Sequence, residues 1–337
     1  MLKIAVLGCG RIGKMHAANI AQHPRASLAG VFDVHVPAAT EVATANGVPV
    51  FESAEAVFAS PDVDAILIAT STSTHADYIE QAVAANKPIL CEKPIDLSLA
   101  RVDRCAARIR GTRLPIMLGF VRRFDPGHSA VRDAIQNGDI GDLLQVIITS
   151  RDPAMAPAAY IEVSGGIFRD MTIHDFDMAR FMLGEEPVTV SATGSRLIDP
   201  ALMQRCEDYD TVSVVLTTAS GKQCIINNSR QAAYGYDQRV EAFGTAGMAI
   251  SENRRPHHAT LYSGTFTDRG VPYLTFFIER YTEAFNLEIS EFVDAVEGGR
   301  TPSVGFEDGR IALALAEASR KSIAEARTVN VSEIVPQ

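Results

Sequence analysis

A short apolar run, Lys3–Gly8, passes into Gly8-Cys9-Gly10-Arg11-Ile12-Gly13 and then at once into a helical pattern over Lys14–His23. A strand, a tight glycine turn and a helix in that order leave few folds open. The G-x-G-x-x-G spacing permits a sharp turn and lets backbone approach a pyrophosphate, which sits at the helix N-terminus. Asp33 ends the next strand-like run about 20 residues beyond Gly13, the separation at which a carboxylate reaches an adenosine ribose. The alternative is a merely structural bend in an α/β domain. Strand, helix and acid together point to dinucleotide binding, with Gly8, Gly10, Arg11, Ile12, Gly13 and Asp33 as contacts. Val34–Thr40 contains no Arg or Lys to receive a 2′-phosphate, so NAD is expected in preference to NADP.

The alternation continues through Asp64–Thr70, Pro88–Pro94 and Leu114–Phe120, apolar runs separated by helical patterns. Such runs predict a parallel sheet covered on both faces. After Phe120 the pattern changes to β-rich segments joined by short turns such as Ser220-Gly221, which predict a largely antiparallel sheet. Two helical segments, Tyr281–Gly299 and Phe306–Ala326, close the chain. The expectation is an α/β protein of two domains, 1–120 and 121–337, with the boundary near residues 119–125. The C-terminal helices are candidates to pack back on the first domain.

Acidic residues outnumber basic ones, 41 to 31, for a net charge of −10; this argues against a nucleic-acid or anionic-membrane surface. The cysteines, Cys9, Cys91, Cys105, Cys206 and Cys224, show no C-x-x-C spacing. Reduced thiols in a cytoplasmic protein are expected rather than a disulfide framework or a structural zinc site. No apolar run is long enough to span a bilayer.

Two further stretches follow strands of the first domain: Thr70, Ser71 and His75 after the third, Glu92-Lys93-Pro94 after the fourth. The C-terminal ends of parallel strands border the ligand crevice, so these residues are cofactor candidates. His75 could equally cap the helix it begins. In the second domain, Gly165–Leu183 reads as an amphipathic helix that starts near Asp170. Asp170, His174 and Asp177 fall at i, i+4 and i+7, on the face of Met171, Met178 and Phe181. Buried charge is costly unless paired or used. Three readings fit: a structural ion pair, a metal site, or a catalytic group. A single His with carboxylates, without H-E-x-x-H, makes metal the weakest. Asp175 and Asp177 are expected to bond backbone or arginines such as Arg180.

The stretches GCGRIG, STSTHAD and CEKP, followed by GGIFRDMTIHDFDMARF, resemble the Gfo/Idh/MocA family of NAD(P)-dependent oxidoreductases over nearly the whole chain. GGIFRDMTIHDFD, GFVRRFDP and YGYD look closest to its inositol-oxidising members. The resemblance implies an N-terminal Rossmann domain and a C-terminal α+β domain with a large open, mostly antiparallel sheet. It implies a homotetramer built on that sheet and a cis Lys93–Pro94 peptide. It also implies a catalytic group of Lys93, Asp170 and His174, with Arg122, Asp152 and Tyr236 lining a polyol pocket. Oxidising a secondary alcohol requires loss of a proton and a hydride, and an imidazole with pKa near 6.5 is the natural base. The expected reaction is NAD-dependent oxidation of one ring hydroxyl of an inositol to an inosose. The alternatives are a pyranose dehydrogenase and an NAD-binding regulator without turnover.

Overall fold

The computed structural model describes residues 1–335. The chain divides into two compact units: Met1–Val121 with Glu283–Leu313, and Arg122–Thr282 with the chain from Ala314 onward. The long helix Phe306–Glu325 gives its first part to one unit and the rest to the other.

The first unit is built on five parallel strands, β1 (Leu2–Leu7), β2 (Ala26–Phe32), β3 (Ala65–Ile68), β4 (Ile89–Cys91) and β5 (Ile116–Leu118), in the order β2-β1-β3-β4-β5. Ile4–Leu7 and all of β3 are fully buried, which is why these strands read as unbroken apolar runs. The order reverses between β1 and β3, and ligands of open α/β sheets bind at such a point, beyond the carboxyl ends of the strands. Gly8 follows β1, and Thr70 and Ser71 follow β3.

The second unit carries a seven-stranded sheet of β6 (Leu143–Arg151), β7 (Pro187–Ser195), β8 (Thr211–Thr218), β9 (Gln223–Ser229), β10 (Asp237–Gly244), β11 (Met248–Ser251) and β12 (Val329–Asn330). The order is β11-β10-β6-β9-β8-β7-β12. Every pairing is antiparallel except β6 with β9, so the sheet is mixed and mostly antiparallel. Burial alternates along β8 and β9. Helix Ile173–Leu183 packs on β6 and β9, while Val215, Phe243, Met248 and Ile250, alternating with the buried set, are exposed.

Two local expectations change. The helix does not start near Asp170: a short helix, Ile167–Asp170, ends there, and a second, Ile173–Leu183, begins after it. The backbone bonds skip at the join, Thr172 N reaching Ile167 O and His174 N reaching Met171 O. Thr172 Oγ1 donates to Asn228 Oδ1 of β9 at 2.6 Å, a fixed anchor inside what sequence periodicity reads as a continuous turn. Helix Pro126–Gln136, between the units' junction and β6, was not anticipated. Its signal is Asp125-Pro126: the Asp125 carboxylate accepts from Gly127 N and His128 N, and Pro126 opens the first turn.

Candidate active site

In the first unit, Gly8, Gly10, Asp33, Thr70 and Ser71 line a cleft at the sheet's switch point. Each glycine has a different reason to be one. Gly8 sits at φ +96°, and a Cβ there would lie 2.4 Å from Ala69 O. A Cβ on Gly13 would lie 1.8 Å from Gly8 O, so this glycine lets helix and turn pack closely. A Cβ on Gly10 would meet nothing within 4 Å, which leaves that side of the turn open to a ligand. Helix Arg11–Gln22 has no side-chain cap and no acidic residue in its first turn. Its leading N–H groups, with Arg11 and Ile12 at the first positions, suit a pyrophosphate. Asp33 Oδ2 accepts from Cys9 N at 2.7 Å and Oδ1 from His35 N at 2.7 Å. The carboxylate is thus fixed beside the glycine turn and faces the cleft. The residues present fit a dinucleotide.

Thr74 and Tyr78 also line the cleft. The sequence reading missed them, although Thr70, Thr74 and Tyr78 repeat every four residues and Thr70 Oγ1 bonds Thr74 Oγ1 at 2.7 Å. His75 is placed differently from a cofactor contact. It is buried, with Nδ1 2.8 Å from Pro94 O and Nε2 3.0 Å from Thr70 O. It ties the loop after β3 to the loop after β4. Burial lowers its pKa against the pull of both carbonyls. Lys93 is half-buried and its peptide to Pro94 is cis. Glu92 Oε1 is bonded to His16 Nε2 at 2.9 Å.

In the second unit, Asp170 Oδ1 accepts from Tyr160 Oη at 2.7 Å and Oδ2 from Arg230 Nη1 at 3.2 Å. Arg230, almost fully buried, also reaches Asp208 at 3.1 Å. Burial first, then the Asp170 charge, raises the Tyr160 phenol well above its usual range, so it remains a donor to Asp170. His174 opens the helix Ile173–Leu183 and is half-buried.

The two acids beyond His174 answer to the preceding Val121–Phe124 turn. Asp175 is buried and accepts from Arg122 Nη1 at 2.6 Å, Ser150 Oγ at 2.5 Å and Asn228 Nδ2 at 2.8 Å. Asp177 is clamped by Arg123 through Nε at 2.8 Å and Nη2 at 2.5 Å. Burial raises the Asp175 carboxyl against these donors. Arg122 itself is lowered by burial but raised further by Tyr236 and Asp175, and stays cationic. Arg180 pairs with Glu186 at 2.5 Å. Tyr236 is buried, its ring edge-on to Tyr281 at 6.2 Å, and Asp152 follows β6 with its N–H on Ser229 O. The cysteines are all free, and no described helix is long and apolar enough to cross a membrane.

Comparison with known proteins places both halves. Residues 2–120 match the oxidoreductase family with an NAD-binding Rossmann fold, and residues 128–250 match the Gfo/Idh/MocA C-terminal domain. The chain belongs to the Gfo/Idh/MocA oxidoreductase family. Among Gfo/Idh/MocA relatives, it is 50% identical to inositol 2-dehydrogenase of Rhizobium meliloti, covering 98% of this chain and 99% of the relative. A crystal structure of a myo-inositol dehydrogenase from Corynebacterium glutamicum superposes with a TM-score of 0.94 at 45% identity, covering 98% of each chain. Scyllo-inositol dehydrogenase from Lactobacillus casei, solved with bound NAD(H) and scyllo-inositol, superposes with a TM-score of 0.90 at 29% identity, covering 98% and 99%. As a member of this family, the chain is an NAD-dependent oxidoreductase acting on a CH–OH group.

Proposed function

We propose that the chain oxidises a ring hydroxyl of an inositol with NAD, taking myo-inositol to 2-keto-myo-inositol (scyllo-inosose). The observation that carries this reading is the 50% identity, across 98% of the chain, to a protein named inositol 2-dehydrogenase. The proposed catalytic group is Lys93, Asp170 and His174. Neutral His174 accepts the hydroxyl proton as the C–H bond breaks. The Lys93 ammonium donates to the reacting oxygen and stabilises the charge that develops there. Asp170, held between Tyr160 and Arg230, orients the imidazole or a neighbouring hydroxyl. Bound NAD supplies the hydride acceptor.

Arg122, Asp152 and Tyr236 are proposed to shape the polyol pocket, Arg122 from its buried bonds to Ser150 and Asp175. A homotetramer built on the open sheet is supported by the exposed Val215, Phe243, Met248 and Ile250. Cytoplasmic residence is supported by the free thiols. NADH absorbance, followed with a panel of myo-inositol, scyllo-inositol and glucose, tests the substrate. Turnover is expected with an inositol. Faster turnover of glucose would give the pyranose reading instead, and NAD binding with no turnover on any polyol would give the regulator.

A further inference from the structure

His16, Glu92 and Glu288 form a buried cluster in the first unit that the proposed chemistry does not use. His16 lies on helix Arg11–Gln22, Glu92 follows β4, and Glu288 lies on helix Thr282–Glu297. One nitrogen or oxygen of each lies within 4.8 Å of the others. Two carboxyl groups this close and this dry do not both ionise. Their environments are unequal. Glu92 accepts from His16 at 2.9 Å, and its side chain is 15% exposed. Glu288 is 0% exposed, and neither carboxyl oxygen has a hydrogen-bond partner. His16 Nδ1 is buried without a partner as well. What the cluster lacks is one donor, and a protonated Glu288 carries one.

We propose that Glu288 is held as a neutral carboxylic acid and acts as a positioning residue. Its O–H supports the anionic, His16-bonded Glu92, and so fixes the turn from which the next residue, Lys93, projects. Burial and the Glu92 charge both favour the protonated form of Glu288. The space around Glu92 is tight on another side, since a Cβ on Gly119 would lie 2.9 Å from Glu92 Oε2. A small displacement of Glu92 is therefore transmitted along the chain rather than absorbed. The proposal rests on the reading of Lys93 as part of the catalytic group.

The test uses the full-length protein and two variants. Glu288→Gln keeps shape and a donor without a charge, whereas Glu288→Ala leaves Glu92 unsupported. Glu288→Ala is expected to lower kcat with myo-inositol by about 10²-fold, the scale of a misplaced catalytic group, with KM for NAD little changed. Glu288→Gln is expected to restore most of that loss. The infrared spectrum of substrate-free wild type at neutral pH should show the C=O stretch of a protonated carboxyl group, absent from Glu288→Gln. That reading needs no turnover, so it stands or falls apart from the assigned reaction. Absence of the band, an equal loss in both variants, or a divalent metal retained on dialysis by the wild type and not by Glu288→Gln would each overturn the proposal.

Discussion

Arg122 Nη1 lies 2.6 Å from Asp175 Oδ1, with both residues buried and Asp175 next in sequence to His174. Ser150 of β6 and Asn228 of β9 complete the carboxylate's bonds. The start of the helix that carries His174 is thereby fixed to two strands and to the turn at the junction of the units. Arg122→Met removes the cation and leaves a buried carboxylate, an imbalance that costs about 3–5 kcal/mol. Urea denaturation should report a loss of that order. A loss below about 1 kcal/mol, the scale of an exposed pair, would show that Asp175 is not held as an anion.

Gly10 and Gly13 should fail in different ways. Gly10 has φ −68° and open space where a Cβ would go, so Gly10→Ala should leave thermal stability nearly unchanged. It should weaken NAD about tenfold or more, because the methyl group occupies the approach of the pyrophosphate. Gly13→Ala forces a Cβ against Gly8 O and should lower Tm. Calorimetry and NAD titration separate the two; equal loss of stability in both would contradict the assignment of the open side.

Asp33 is fixed by Cys9 N and His35 N and lines the cleft. A carboxylate there repels a 2′-phosphate, and a preference for NAD of at least about 10-fold in kcat/KM is expected. Asp33→Ser should narrow the gap, mainly by weakening NAD. Equal use of both cofactors, unaltered by the substitution, would mean that the carboxylate only orders the start of the next helix.

His174→Ala and Lys93→Ala should each lower kcat by about 10²-fold or more, the range of acid–base groups, while fluorescence titration still detects NAD binding. Near-normal turnover in either would remove that residue from the catalytic group.

Glu288 supplies a test by pH. Its ordinary value is 4.5, and in the fold it is raised by burial and Glu92. A carboxyl that binds its proton more tightly folded than unfolded contributes stability that is present at low pH. That contribution is lost as pH rises above 4.5 toward the folded value. Glu288→Gln removes the effect. Its Tm should exceed that of wild type at neutral pH, and the gap should narrow as pH falls toward 4.5. Parallel Tm profiles would show that Glu288 titrates normally.

The cofactor half of the site was legible because its signals are local: Gly8 and Gly13 each answer to a neighbour a few residues or one strand away, and Gly10 falls between them in the same short motif. The second unit was less so. Asp175 and Asp177 stand out as buried acids, but their partners, Arg122 and Arg123, are some fifty residues earlier, and no periodicity links them. The break before Ile173 depends on Asn228, a strand away in space and far along the chain. His16, Glu92 and Glu288 come from three separate segments, and each alone reads as an ordinary helix or strand-end residue.

The one parallel pair of the seven-stranded sheet, β6 with β9, has a kinetic side. The β8–β9 and β10–β11 hairpins close over short turns and can form early. β6 takes its place between β9 and β10, and both partnerships span long stretches of chain, so their loop-closure entropy must be met last. Ser150 lies on that late strand and holds Asp175. A nascent second unit can thus possess most of its hairpins before the helix bearing His174 has anything to lock against, and competence for chemistry would arrive with the final strand rather than accumulate gradually.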